Sequence, residues 1–196
     1  GGEEVGAVGH NGVLESQINL QFAFMLAREL RMRGIRVYLT RTDDKSMSLE
    51  KRINYTNDTR PLLHISINTA YSGIKGLSGM EVLAFSSEQS GDEFENMINS
   101  FYQNYEGKYL PKTEDSMLIE QRIARQIKKE LDLPYKASLE RKFLKPLAVS
   151  PNIPGLAIFV GYISNPDDVK RLSNNKSVEK NAGLVATAIE KGMSLS

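Results

Sequence analysis

Cysteine is absent from this chain of 196 residues. Its absence excludes a disulfide framework, a thiol nucleophile and a cysteine-ligated zinc. Histidine occurs only twice, at His10 and His64, so little remains for a histidine-based metal site or a histidine general base. No apolar run comes near the length of a membrane-spanning helix. No charge of one sign dominates, since 25 Lys and Arg face 24 Asp and Glu for a net charge of +1. A dedicated nucleic-acid binder would carry a basic excess on one face, so that class is set aside. No leader pattern opens the chain, which sets the expectation of a cytosolic or already trimmed protein.

What is present fits a globular protein. A hydrophobic share of 40% beside 25% charged residues is wrong for disorder. The length is a prior for a single domain over 1–196, large enough to bury a core without staples.

Helical and strand periodicities alternate, which points to an α/β architecture. Ile18, Phe22, Met25, Leu26 and Leu30 recur at helical spacing over Ser16–Arg33, and Gly34 is a fitting stop. Ile35–Thr40 alternates as a half-buried strand does. A short helix is expected over Ser48–Asn57, then strands over Leu62–Ile67 and Met80–Phe85. Helices are expected over Glu93–Tyr105 and Ser116–Leu131, strands over Lys145–Val149 and Leu156–Val160, and a closing helix over Ser177–Lys191. Residues 86–115 are the most polar and least patterned stretch, and we read them as an inserted segment.

Several phrases fall in a familiar order. They are Gly1-Gly2-Glu3-Glu4-Val5-Gly6-Ala7-Val8-Gly9, Asn11-Gly12-Val13-Leu14-Glu15 with Asn19-Leu20, and Val37-Tyr38-Leu39-Thr40-Arg41-Thr42-Asp43-Asp44. Leu49 and Arg52, Ile65-Ser66-Ile67, Gly79-Met80-Glu81-Val82 and Gly161-Tyr162-Ile163-Ser164-Asn165-Pro166 follow. Together they resemble the zinc-dependent N-acetylmuramoyl-L-alanine amidases of the cell-wall hydrolase type, over nearly the whole chain. The resemblance implies a central mixed, twisted sheet flanked by helices. It also implies hydrolysis of the amide joining the peptidoglycan lactyl group to L-Ala. A zinc held by two His and one Glu, with a second Glu as general base, would carry that reaction.

Mapped residue by residue, the resemblance breaks at the chemistry. The first zinc histidine would directly precede Gly1, and it is absent from the sequence together with the family's first strand; either residues ahead of Gly1 supply both, the favoured expectation, or the protein lacks that strand. The Glu ligand matches Glu15. The second zinc histidine falls on Asn68, in the phrase Ser66-Ile67-Asn68, and an amide oxygen is a poor substitute for imidazole. The catalytic Glu falls on Phe159, which can neither accept a proton nor bind metal. His64 precedes Asn68 by four strand residues, roughly 13 Å, too far to replace it. His64 therefore reads as a strand residue under a helix, and His10 as a loop residue.

Glu15 is left with two readings, a relict ligand or a favourable carboxylate at a helix start. Arg41 and Asp43 read as a structural ion pair or turn, and Arg52 as an anchor to neighbouring carbonyls or carboxylates. Glu81 reads as structural, and Asn165 and Pro166 as turn formers. Phe159 and Tyr162 would fill the space of a lost metal site. Arg141 is similar to the family's arginine beside the cleft, which implies contact with a peptide carboxylate.

The sequence thus sets the expectation of a catalytically degenerate amidase-like domain at the cell envelope or periplasm. It would bind a peptidoglycan fragment or an envelope protein without hydrolysis and without a cofactor. Two rivals stand beside it: an active zinc amidase with displaced ligands, and a structural subunit of an envelope assembly. Residues 86–115 would serve as a lid or partner-docking element.

Overall fold

A computed structural model describes residues 6–9, 12–74, 76–84, 114–132 and 153–194. The elements run α1 (Glu15–Met32), α2 (Leu49–Thr59), β1 (His64–Ala70), β2 (Glu81–Ala84), α3 (Glu114–Glu130), β3 (Gly155–Tyr162), α4 (Pro166–Leu172) and α5 (Asn175–Ser194). The expected helix over Glu93–Tyr105, the strand over Lys145–Val149, His10, Arg141 and residues 86–113 lie outside the described residues.

The three strands form one mixed sheet in the order β1-β3-β2, with β1 parallel and β2 antiparallel to β3. β3 is buried along its whole length. This agrees with its near-continuous apolar run, Leu156 to Val160, the signature of a strand covered on both faces.

Ile18, Phe22, Leu26 and Leu30 of α1 recur every four residues and are all buried. They share one core with Ile123 and Ile127 of α3, Val185 and Ile189 of α5, and Leu156, Ile158 and Val160 of β3. Alternation along the strands turns the other set of side chains away from that core. Ala70, Leu83, Ala157, Phe159 and Tyr162 form a second, smaller cluster. Helices α1 and α3 each pack on α5, α1 also on β1 and α3 also on β2. The three long helices therefore lie over one side of the sheet.

α1 ends at Gly34, which adopts φ +78°. The Ile35 N–H reaches back to Leu30 O at 3.0 Å and the Gly34 N–H to Arg31 O at 2.9 Å. This 6→1 and 5→2 pair is the Schellman stop that a glycine at that position permits.

Two expectations are corrected. Ile35–Thr40 has the alternation of a strand but joins no ladder among the described residues. The pattern supplies a face to bury, but a strand also needs a neighbour, and the Val37 carbonyl is taken by Arg31 Nη2 at 2.9 Å. The second correction is α4, a helix where the sequence suggested only a turn. Asn165 accepts from the N–H groups of Asp167 and Asp168 at 2.9 and 3.2 Å, and Pro166 occupies the first helical position. Asn at the cap, Pro at the first position and Asp in the first turn are together a helix start.

Candidate functional site

The register of the sheet brings three of the singled-out residues into one row. Asn68 of β1 pairs with Phe159 of β3, and Phe159 pairs with Glu81 of β2. The row lies near the C-terminal end of the parallel strands, where α/β folds commonly place their sites.

Asn68 is turned back onto its own strand. Its Nδ2 donates to Ser66 Oγ at 3.0 Å and to Ser66 O at 3.3 Å. Phe159 is 5% exposed and packs with Ala70, Leu83, Ala157 and Tyr162. Glu81 is buried at the far end of the row and accepts a hydrogen bond from the Tyr162 hydroxyl. Tyr162 reaches this face because the β1–β3 register shifts between Asn68 and Ala70. Glu81 is thus structural, as the sequence suggested, and Tyr162 is the group that satisfies it.

Glu15 opens α1, where Leu14 supplies no side-chain cap. Its Oε2 accepts from the Ala7 N–H at 2.9 Å and its Oε1 from Asn19 Nδ2 at 3.4 Å. The Glu15 N–H in turn donates to Ala7 O at 3.0 Å. The carboxylate therefore closes the loop before the helix, whatever else it can bind.

Arg41 is a structural residue. Its Nη2 donates to Ser16 O at 2.6 Å and its Nη1 to Asp43 O at 2.9 Å, tying the Thr40 turn to the start of α1. Asp43 holds Lys45, at 3.0 Å, and that contact keeps its carboxyl below the ordinary range. His64 Nδ1 lies 3.5 Å from Thr56 Oγ1 of α2, which places the ring under a helix.

Arg52 is corrected. It was expected to anchor to carbonyls or carboxylates, yet its Nε is buried with no hydrogen-bond partner among the described residues. It faces a cavity rather than a carbonyl.

Two buried structural carboxylates were not singled out from the sequence. Asp168 is 4% exposed. It accepts from the Tyr162 N–H at 2.7 Å, the Gly79 N–H at 2.8 Å and Arg171 Nη2 at 3.1 Å. It ties the end of β3 to the residues that lead into β2. Glu120 of α3 is fully buried and accepts from the Gly155 N–H at 2.6 Å, fixing the start of β3. The signal for Asp168 was its place in the first turn after an Asn-Pro cap. Glu120 sits one residue beyond Ile119 on the apolar stripe, and nothing in the pattern marks it.

Among the described residues no three His, Asp or Glu side chains converge as a metal-binding group. The donor chemistry gives the reason. Of the three mapped positions within the sequence, Glu15 alone carries a good zinc donor, and its oxygens already hold Ala7 and Asn19. Asn68 and Phe159 supply no imidazole and no carboxylate. The described residues by themselves do not fit a three-ligand zinc site.

A family model described as N-acetylmuramoyl-L-alanine amidase matches residues 1–191. The chain is 26% identical over 190 residues to the uncharacterized protein YqiI of Bacillus subtilis, covering 97% of this chain and 79% of YqiI. Among solved structures it is similar to the amidase Ami1 of Mycobacterium smegmatis, with TM-score 0.75, 16% identity, and 97% and 82% of the two chains covered. It is also similar to the CwlD amidase of Clostridioides difficile, solved in complex with the GerS lipoprotein. There the TM-score is 0.73 and the identity 21%, with 97% and 92% covered. These likenesses bear out the mixed α/β architecture.

Proposed function

Since the chain belongs to the N-acetylmuramoyl-L-alanine amidase family, we propose that it is a catalytically degenerate member, which engages peptidoglycan or an envelope protein without cutting the amide. The observation that carries this reading is the row Asn68–Phe159–Glu81. Hydrolysis of an unactivated amide needs a polarised carbonyl and a base for the attacking water. Phe159 stands where the family resemblance puts the base, and a phenyl ring takes no proton. Asn68 stands where it puts an imidazole, and its amide is spent on Ser66. Glu81 cannot replace the base, because it is buried and holds the Tyr162 hydroxyl.

Phe159 and Tyr162 give the row a different chemistry. An aromatic ring and a small apolar cluster replace a charged, hydrated site, and such a surface packs without metal. The envelope is the expected compartment, from the family alone. Arg141 remains the proposed contact for a peptide carboxylate, and residues 86–115 the proposed lid or docking segment. No zinc is expected to be held.

The test is a pair of assays on one preparation: muropeptide hydrolysis, and co-sedimentation with purified peptidoglycan. Sedimentation with the wall and no released peptide supports the reading. Released peptide at rates typical of an amidase overturns it.

A further inference from the structure

Four exposed apolar side chains, Val8, Tyr71, Ile74 and Leu77, stand at one end of the sheet. Tyr71 is 66% and Ile74 70% exposed. Tyr71, Ile74 and Leu77 belong to the loop between β1 and β2, which starts three residues past Asn68. Val8 lies in the loop before α1.

Both loops rest on one short stretch, residues 163–168. A Cβ on Gly9 would meet Ile163 Cγ1 at 2.4 Å, so the backbone beside Val8 lies against the end of β3. The Ile163 N–H donates to Ala70 O at 2.8 Å, and the Ser72 N–H to Ser164 Oγ at 3.0 Å. Asn165 Nδ2 donates to Leu77 O at 2.9 Å, and the Gly79 N–H to Asp168 Oδ2 at 2.8 Å. Single exposed apolar residues are ordinary, but four on two neighbouring loops make a patch. A loop pinned at four points presents its side chains in one arrangement, so a partner that meets it pays little ordering entropy.

The chemistry of the patch selects its occupant. None of the described residues in 6–9, 12–14, 71–74 and 76–79 is charged. A peptide carboxylate would find no cation among them. A sugar needs side-chain donors and acceptors for its hydroxyls, and those at hand are already engaged. Ser72 Oγ accepts from the Ile74 N–H at 3.1 Å, and Ser164 Oγ from the Ser72 N–H. Asn165 holds Leu77 O with its nitrogen and the start of α4 with its oxygen. What remains is one aromatic ring and three aliphatic side chains without charge. That is the composition of a protein–protein interface centre, where charge is depleted and tyrosine enriched. Charge complementarity calls for a partner surface that is uncharged as well.

We propose that Val8, Tyr71, Ile74 and Leu77 form the docking surface for an envelope protein, which seats an uncharged apolar segment on them beside the Asn68 row. The inference rests on the proposed function and deepens it: of the two occupants named there, the protein is the one met at this end of the sheet.

The experiment replaces Ile74 with the photoreactive residue p-benzoylphenylalanine in the cells that make the protein. The protein cross-linked there is identified by mass, purified and titrated by calorimetry against the unmodified chain. Tyr71→Ala and Ile74→Asp should each weaken its binding at least about tenfold. Met32→Ser, at an exposed apolar residue in the last turn of α1, should leave it unchanged. The altered side chains are exposed, so thermal unfolding should match the parent, which separates lost binding from lost fold. Equal affinity in the Tyr71 and Ile74 variants overturns the proposal, as does the absence of any cross-linked protein. A cross-link to a second copy of this chain alone also overturns it. So does loss, in the same variants, of sedimentation with purified peptidoglycan or with phosphatidylcholine–phosphatidylglycerol vesicles, because the wall or a lipid surface would then be the occupant. Peptide released in the muropeptide assay would overturn the proposed function and not the docking surface, since neither cross-linking nor titration reads hydrolysis.

Discussion

Asn68 stands in register with Phe159 across the parallel β1–β3 ladder. An amide bonded to its own strand thus sits beside a buried aromatic ring. The ring separates Asn68 from Glu81 on β2, the carboxylate on the same row.

Phe159→Glu should not restore hydrolysis. The new carboxylate would be buried beside Glu81, with no cation on the row. Losing the ring's apolar burial and adding an uncompensated buried charge costs on the order of 3–5 kcal/mol. Urea unfolding should show that loss, and muropeptide release should stay at background.

Tyr162→Phe removes the hydroxyl that donates to Glu81 and leaves a buried carboxylate short of a donor. The expected cost is about 1–3 kcal/mol. Glu81→Gln keeps an acceptor for Tyr162 and should cost less. A Tyr162→Phe variant as stable as the parent would contradict this role.

Asp168→Ala strands the Tyr162 and Gly79 N–H groups and frees Arg171. We expect a loss of about 3 kcal/mol, since two buried backbone donors lose their acceptor together. Asp168→Asn retains an oxygen for both donors and should recover more than half of that stability. Thermal unfolding of the two variants against the parent checks the order.

Glu29 of α1 makes a pH-dependent contribution through its ion pairs with Arg33 and Arg28 at the end of the same helix. Arg33 and then Arg28 hold its carboxyl below its ordinary value of 4.5. Its folded pKa is therefore lower than its unfolded one. The stability it contributes is present above pH 4.5 and lost as the pH falls through the folded value. Glu29→Gln should be less stable than the parent at pH 7, and the difference should close as the pH falls below 4.5 and through the lowered folded value. A gap that stays constant with pH would assign the effect to packing instead.

Most of the fold was legible because period and burial coincide. The α1 stripe Ile18–Phe22–Leu26–Leu30 and the apolar run of β3 each point to one structure only. Ile35–Thr40 was misread because alternation reports a buried face, and pairing depends on a neighbour that lies elsewhere in the chain. α4 was legible in its cap, but seven residues are too few to show a stripe. Arg52 was misread because residue type alone suggests an anchor, whereas its Nε is buried with no hydrogen-bond partner among the described residues. Asn68 and Phe159 were singled out from the phrases around them, and the sheet sets them side by side. The Asn165-Pro166 cap marks Asp168 as a first-turn carboxylate, but its bonds to the Tyr162 and Gly79 N–H groups, like that of Glu120 to Gly155, are made only by the fold.

Zinc content of the purified protein, measured on chain that includes any native residues ahead of Gly1, tests the central claim most directly. The account predicts no zinc above the buffer background after equilibration with the metal. One tightly held zinc per chain would contradict it, and would mean that donors other than Asn68 and Phe159 complete a site around Glu15.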